Sequence, residues 1–237
     1  MASRASDFNV RDTPAYTMAQ AAHYLGLPYS TVKSWVVGQT YYDSKGREKF
    51  LKPVIQPADK DDSILSFRNL VELHVLSVTR RAYKIPMPQV RVAIEYIKKE
   101  LGTAHPLADV ELQTDGIDLL VEQLGQLVAA NKGGQVTMRD VILQYLKRIE
   151  RDRHGVPLRL YPFTRKAAFE QQPRLVVIDP ELSFGRLALA EIGVSTRMIA
   201  NRVKAGESIE DLMADYNCSS EMIVEALRCE MTMSDAA

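Results

Sequence analysis

The sequence predicts an α+β fold that is mostly helical, and three observations predict it. A helix, a tight turn and a second helix can be read at each end, from Tyr16 to about Val37 and from about Ser208 to Glu230. Between them run strong helical stripes, the clearest placing Val90, Ala93, Ile94, Ile97 and Leu101 on one face. Short runs bounded by Gly and Pro supply the β part. The two terminal patterns carry opposite charge. From Ser30 to Lys52 there are five bases (Lys33, Lys45, Arg47, Lys49, Lys52) against two acids. From Glu207 to the end there are eight acids and one base, Arg228. A motif that follows a DNA backbone must replace condensed counterions with positive charge. The first pattern can do so and the second cannot, so one end is expected to read nucleic acid and the other to meet a protein.

The elements follow in order. Residues 1–12 are polar and read as a flexible arm. Thr17 caps a helix that Gly26 breaks, and a second helix runs to about Val37. Ala22 is small where the two would cross, and Leu27 fills the core below. In the second helix Val32 and Trp35 face inward, while Ser30, Thr31, Lys33 and Ser34 point outward. Residues 38–62 read as a wing or hairpin with a mobile tip, carrying Lys45, Arg47, Lys49 and Lys52. Ser66 caps a largely buried helix to about Ala82, and Pro86 and Pro88 start the next, which Gly102 stops.

In the centre, 102–166, Asp115-Gly116 suggests a hairpin and Gly133-Gly134 another turn. Thr137 caps a helix to about 150, and Leu158–Phe163 reads as a strand. Residues 167–173 form a linker. After a short strand, Leu175–Ile178, three helices end the chain. The first, 196–204, turns Met198, Ile199 and Val203 inward. The second opens on Ser208 with Asp211 in a capping box. The third turns Ile223, Val224, Ala226 and Leu227 inward.

Composition sets outer bounds. Of 237 residues, 46% are apolar and 25% charged, which is ordinary for a water-soluble globular protein. No apolar run approaches the roughly 20 residues that span a bilayer, and Met1–Thr13 lacks the apolar stretch of a secretory signal. No membrane role is expected. The two cysteines, Cys218 and Cys229, have neither C-x-x-C spacing nor nearby histidines, which suits a reducing cytoplasm better than a zinc site or disulfide scaffold. His23, His74, His105 and His154 are scattered, and the paired acids Asp61-Asp62 and Glu210-Asp211 read as solvated charge and helix-dipole complement. No phosphate-binding, hydrolase or metalloprotease signature occurs. The chain is expected to be no enzyme and to need no cofactor or metal.

On the run from Tyr16 to Trp35, the wing, the long helix after it and the Ile85-Pro86 start of the next, residues 13–101 resemble the MerR-like winged helix-turn-helix family. That family has a capping Ser or Thr where this chain has Pro28. The resemblance implies a second helix in the major groove, with Ser30, Thr31, Lys33, Ser34 and the wing bases at the DNA. The alternatives are a plain helical hairpin and an ordinary solvated loop.

The string Phe184-Gly185-Arg186, then Ala205-Gly206-Glu207-Ser208-Ile209, Asp215-Tyr216 and Glu225-Ala226-Leu227-Arg228-Cys229-Glu230 resembles the domain-of-unknown-function family 433. With the N-terminal domain, the chain looks like a VapB-type antitoxin. Residues 174–237 would then be the antitoxin-type domain. The resemblance implies a VapC-type partner, a PIN-domain ribonuclease, contacted through Arg186, Arg197, Arg202, Asp215, Met222, Glu225 and Arg228. Many family members have Pro at Leu187 and Gly-Thr-Arg or Gly-Thr-Gly at Glu191-Ile192-Gly193. Arg228 can instead pair with Glu225 within its helix, and the domain can serve self-association alone. A homodimer is expected from paired DNA half-sites, with the helix at 137–150 and its hairpins as the self-association surface. A MerR-like regulator answering to a small molecule is the alternative function.

Overall fold

The computed structural model describes residues 9–81, 85–109, 115–128, 134–165 and 172–231. Most of the proposed arm (1–8) and linker (167–171) lies outside them. The described residues form an α+β, mostly helical fold with two small antiparallel sheets.

The first helix pair is α1 (Met18–Leu25) and α2 (Tyr29–Val36), followed by the hairpin β1 (Gln39–Tyr42) and β2 (Glu48–Leu51). α3 (Phe67–Arg81) is the central helix. Leu70, Val71, Leu73, Val75, Leu76 and Val78 are all buried, and so are the polar Asn69, Glu72, His74 and Ser77, so nearly its whole circumference is covered. Ser66 caps it reciprocally with Asn69: the Asn69 amide donates to Ser66 Oγ at 3.2 Å, and the Ser66 amide to Asn69 Oδ1 at 3.1 Å. α4 (Met87–Leu101) buries the predicted stripe Val90, Ala93, Ile94 and Ile97, and Gly102 ends it at φ +64°.

The centre departs from expectation. Asp115-Gly116 opens α5 (Asp115–Val128), and α6 runs from Gly134 to Leu146, starting three residues before Thr137. Ile117, Leu120 and Val121 recur at i, i+3 and i+4, and all three are buried. α5 packs between α4 and α6. Packing of that face outweighs the turn preference of an Asp-Gly pair.

Past α6, β3 (Ile149–Arg151) and β4 (Pro157–Leu160) pair with β5 (Val176–Ile178) and β6 (Leu187–Leu189) in the order β3-β4-β5-β6. Leu160 faces Ile178, so one sheet joins the central unit to the C-terminal segment. Arg148 fastens the same junction. Its buried guanidinium donates to the carbonyls of Tyr161, Pro162, Gln172 and Pro173 at 2.6–3.2 Å. Burial, with Arg174 nearby, pushes its pKa down to about 10. His74, on α3, is a satisfied core histidine: Nε2 lies 3.1 Å from the Tyr145 carbonyl, and the ring stacks on Phe163.

The chain closes on α7 (Thr196–Lys204), α8 (Ile209–Tyr216) and α9 (Ser220–Met231). Ser208 and Asp211 form the predicted capping box. Two expected core positions are surface positions: Met198 is 53% exposed and Val224 39%. Ile199 on α7 and Ile223 and Ala226 on α9 are buried as expected, and Ala200 joins Ile199 on the inward face. No described helix is long and apolar enough to cross a membrane.

Candidate nucleic-acid interface and C-terminal partner face

Local sequence sets the first helix pair. Thr17 Oγ1 accepts from the Gln20 amide, and Gln20 Oε1 from the Thr17 amide, at 3.1 and 2.9 Å. Gly26 turns the chain at φ +58°. Pro28 stands at the N-cap of α2 at φ −60° with no side-chain hydrogen bond. Its fixed φ shapes the entry that a capping hydroxyl would otherwise stabilise.

On α2, Ser30 and Lys33 are exposed and Ser34 is half-buried. Thr31 is 4% exposed and belongs to the core. At 100° per residue it shares a face with Trp35, four positions on, so the inward face is Thr31, Val32, Trp35 and Val36. The expectation that Thr31 meets a base edge is therefore corrected. Trp35 is fully buried, its indole N–H 3.2 Å from Met87 Sδ.

The wing is a regular hairpin in which Gln39 faces Leu51 and Tyr42 faces Glu48. Its tip is tied. Asp43 accepts from the amides of Lys45 and Arg47 at 2.9 and 3.0 Å and pairs with the Arg47 side chain at 2.9 Å. The Arg47 amide bond leads in holding the Asp43 carboxyl below the usual carboxylate range. Arg47 is thus half-committed, whereas Lys33, Lys45, Lys49 and Lys52 are exposed with no ion pair among the described residues. Tyr41, Tyr42 and Phe50 are exposed beside them, a stacking complement that sequence reasoning did not single out. The wing is anchored at its base. The amides of Val54 and Ile55 donate to the Trp35 carbonyl at 2.7 and 3.0 Å, and Arg91 Nε to the Lys52 carbonyl at 2.5 Å. Gly38, at φ +94°, lets the strands close: a Cβ there would lie 2.5 Å from the Leu51 carbonyl oxygen.

The C-terminal face is differently built. Arg202 donates to Glu207 at 2.8 and 2.9 Å and to Asp215 at 2.5 Å, and covers the Tyr216 ring. Glu225 is fully buried and bonds Arg165 at 2.7 Å and Arg228. The Arg228–Glu225 pair within one helix is therefore present, and Glu225 offers no free surface. Met222 is buried as well. These two expected contact residues are corrected: each turns inward, one to fill the core and one to hold two guanidinium groups. Arg186 and Arg197 are exposed and make no ion pair among the described residues.

Phe184 was missed as an individual residue. It sits in a single 3-10 turn, Ser183–Gly185, at φ 56° and ψ 36°, and is 93% exposed. Ser183 before it and Gly185 after it also have positive φ. A left-handed residue with a Cβ costs about 1–2 kcal/mol. Gly185 is required there: a Cβ would lie 2.1 Å from the buried Tyr16 hydroxyl oxygen. That contact seats the turn against the first residues of the helix-turn-helix.

A cleft of about 780 Å³ separates α1 from α7, with Gln20 and His23 on one wall and Arg186, Arg197 and Lys204 on the other. At its floor Glu230 accepts from Thr196 at 2.6 Å and lies 3.8 Å from His23 Nε2. Burial pushes Glu230 up, but His23 and Thr196 outweigh it and hold the carboxyl low.

Residues 14–94 match a family described as "Putative DNA-binding HTH domain", and residues 176–228 match "Protein of unknown function (DUF433)". The chain is 26% identical over 235 residues to "Putative antitoxin VapB45" of Mycobacterium tuberculosis, covering 91% of this chain and 93% of that protein. It is 28% identical to "Uncharacterized protein Rv2308" of the same organism, over 91% of this chain and 90% of that one. The crystal structure of Rv2018 from Mycobacterium tuberculosis shares the fold, with a TM-score of 0.64 at 21% identity over 91% of this chain and 98% of that chain. The resemblance read from the sequence, a helix-turn-helix segment followed by one like the domain-of-unknown-function family 433, is borne out by these two matches.

Proposed function

We propose that this protein is an antitoxin that binds and neutralises a VapC-type PIN-domain ribonuclease and represses its own operon. It acts as a homodimer in the cytoplasm and has no catalysis of its own. The observation that carries the reading is the division of charge between its two domains. The α2–wing surface presents Lys33, Lys45, Lys49 and Lys52 to solvent, as phosphate contacts require. The C-terminal unit is acidic on α8 and α9, which complements a ribonuclease surface that must attract RNA. Similarity along nearly the whole chain to a protein named as a VapB antitoxin supports the same reading. The test is co-expression with the product of the adjacent reading frame, pull-down, and a ribonuclease assay of the complex. Failure to capture or inhibit that product overturns the reading.

A second reading, a regulator controlled by a small molecule, is favoured by the cleft between α1 and α7. Its bases Arg186, Arg197 and Lys204 suit an anionic metabolite. Native mass spectrometry of the purified chain separates the two: a bound small anion favours the regulator, and a stoichiometric ribonuclease complex favours the antitoxin.

A further inference from the structure

Phe184 is the least explained residue of the molecule. Two consecutive residues with Cβ atoms, Ser183 and Phe184, take positive φ to form its turn. The side chain they present recovers nothing from burial within the chain, since it is 93% exposed. Strain held without local return points to a contact made elsewhere. The turn is also well fixed, with Gly185 against the Tyr16 hydroxyl and Ser183 Oγ donating to the Gly193 carbonyl at 2.5 Å. The knob is therefore pre-ordered, which lowers the entropy lost on docking.

A receptor of matching chemistry lies close by on the same unit. A shallow groove of about 730 Å³ is lined by the half-buried Leu175 and Met213 and by the exposed Glu191, Glu210 and Glu221, with the core residue Met222 beneath. Glu221 shares Arg165, whereas Glu191 and Glu210 are exposed with no ion pair among the described residues. A methionine lining adapts well to an aromatic ring. Arg186, two residues beyond Phe184, and Arg197 would meet these carboxylates with opposite charge. The Ser183–Gly193 bond fixes the knob turn onto the loop that also carries Glu191 of the groove, so knob and groove are neighbours. Neighbouring complementary features are what a twofold pair needs, because each copy then gives a knob and receives one. The formal net charge of the chain is zero, so two copies meet no overall repulsion.

We propose that Phe184 of one copy seats in the Leu175/Met213 groove of a second copy, and reciprocally, with Arg186 against Glu191 and Arg197 against Glu210. The inference specifies the dimer of the reading above and rests on that dimer, not on the identity of the ribonuclease. Sedimentation equilibrium of the full chain tests it. The parent should be a dimer at micromolar concentration. Phe184→Ala should raise the dimer dissociation constant by about thirtyfold or more, as for an interface hot spot. Phe184→Gly should do the same while the monomer melts no lower, because glycine relieves the turn. Glu191→Arg should weaken the dimer, and adding Arg186→Glu should restore it. A monomeric parent overturns both the dimer and this interface. A parent dimer that Phe184→Ala leaves unchanged overturns this interface alone. So does a variant that still dimerises at full strength but loses the ribonuclease, which would assign the knob to that partner.

Discussion

The two ends of the chain use the same helix-turn-helix syntax and spend their cations in opposite ways. At the N-terminal end the fold is held by apolar packing around Trp35, and the lysines of α2 and the wing make no ion pair among the described residues. At the C-terminal end, Arg202, Arg228 and Arg165 are engaged by carboxylates, one of which, Glu225, is fully buried. An unpaired surface cation contributes little to folding but can release counterions from DNA. A cation on a buried carboxylate contributes to folding and has little left for a ligand. A single positive side chain thus has a different job at each end.

The comparison predicts opposite outcomes for similar substitutions. The largest effect belongs to Arg165 and Arg228. Replacing both by Ala strands Glu225 in the core and should cost about 3–5 kcal/mol in a urea titration. A loss below about 1 kcal/mol would mean that water reaches Glu225 and that the two ends are not so different.

Removing Lys33, Lys45, Lys49 and Lys52 together should leave stability within about 0.5 kcal/mol. It should instead weaken promoter binding and lower the log–log salt slope by roughly 0.9 per lost phosphate contact. An unchanged slope in a fluorescence titration breaks the assignment of the wing to DNA. Arg47→Ala alone should cost less than Lys49→Ala, since Asp43 already holds the Arg47 side chain.

Ser30 and Ser34 sharpen the N-terminal side. Ser30→Ala should relax operator preference by less than the about 1–3 kcal/mol of a bidentate base contact. Thr31→Val should leave preference untouched because Thr31 is buried. Selection from a randomised operator library checks both, and a changed preference with Thr31→Val would move the recognition surface.

The smallest effect is a pH dependence outside both ends. His105 Nδ1 lies 3.1 Å from Glu72 Oε2, and that hydrogen bond raises the His105 pKa. Burial raises the Glu72 carboxyl too. A histidine whose folded pKa lies above its unfolded value, about 6.5, stabilises the fold fully below that value. The contribution is lost as pH rises through the folded pKa. Glu72 acts in the same direction, since its charged form is the disfavoured one. Stability should fall as pH climbs through neutrality, and His105→Gln should flatten that fall in melting curves.

Much of the fold was legible. The Thr17 and Ser208 caps, the Gly26 turn, the Val90–Ile97 stripe and the wing are local patterns whose physics acts within a few residues. The failures share a cause. The Asp115-Gly116 hairpin, the outward Thr31, the inward Met198 and Val224, and the exposed Glu225 and Met222 were all inferred from neighbours in sequence. Each was decided by what packs on it in space. A buried carboxylate is the hardest case, because nothing local distinguishes Glu225 from the exposed Glu221 until Arg165, sixty residues earlier, arrives beside it.

The sequence by itself determined two helix-turn-helix units of opposite charge, a mostly helical fold, and a family resemblance carried by short strings of residues. Helical periodicity, capping and turn chemistry act over one to four residues and can be read directly. Tertiary structure alone decided which charges remain available. It paired Arg165, Arg202 and Arg228 with carboxylates, left the wing lysines exposed, joined the centre to the C-terminal segment through β4 and β5, and held Phe184 in solvent on a turn that Tyr16 braces. Burial and ion pairing depend on groups far apart along the chain, and that separation is why the sequence could name the charged residues but not their partners.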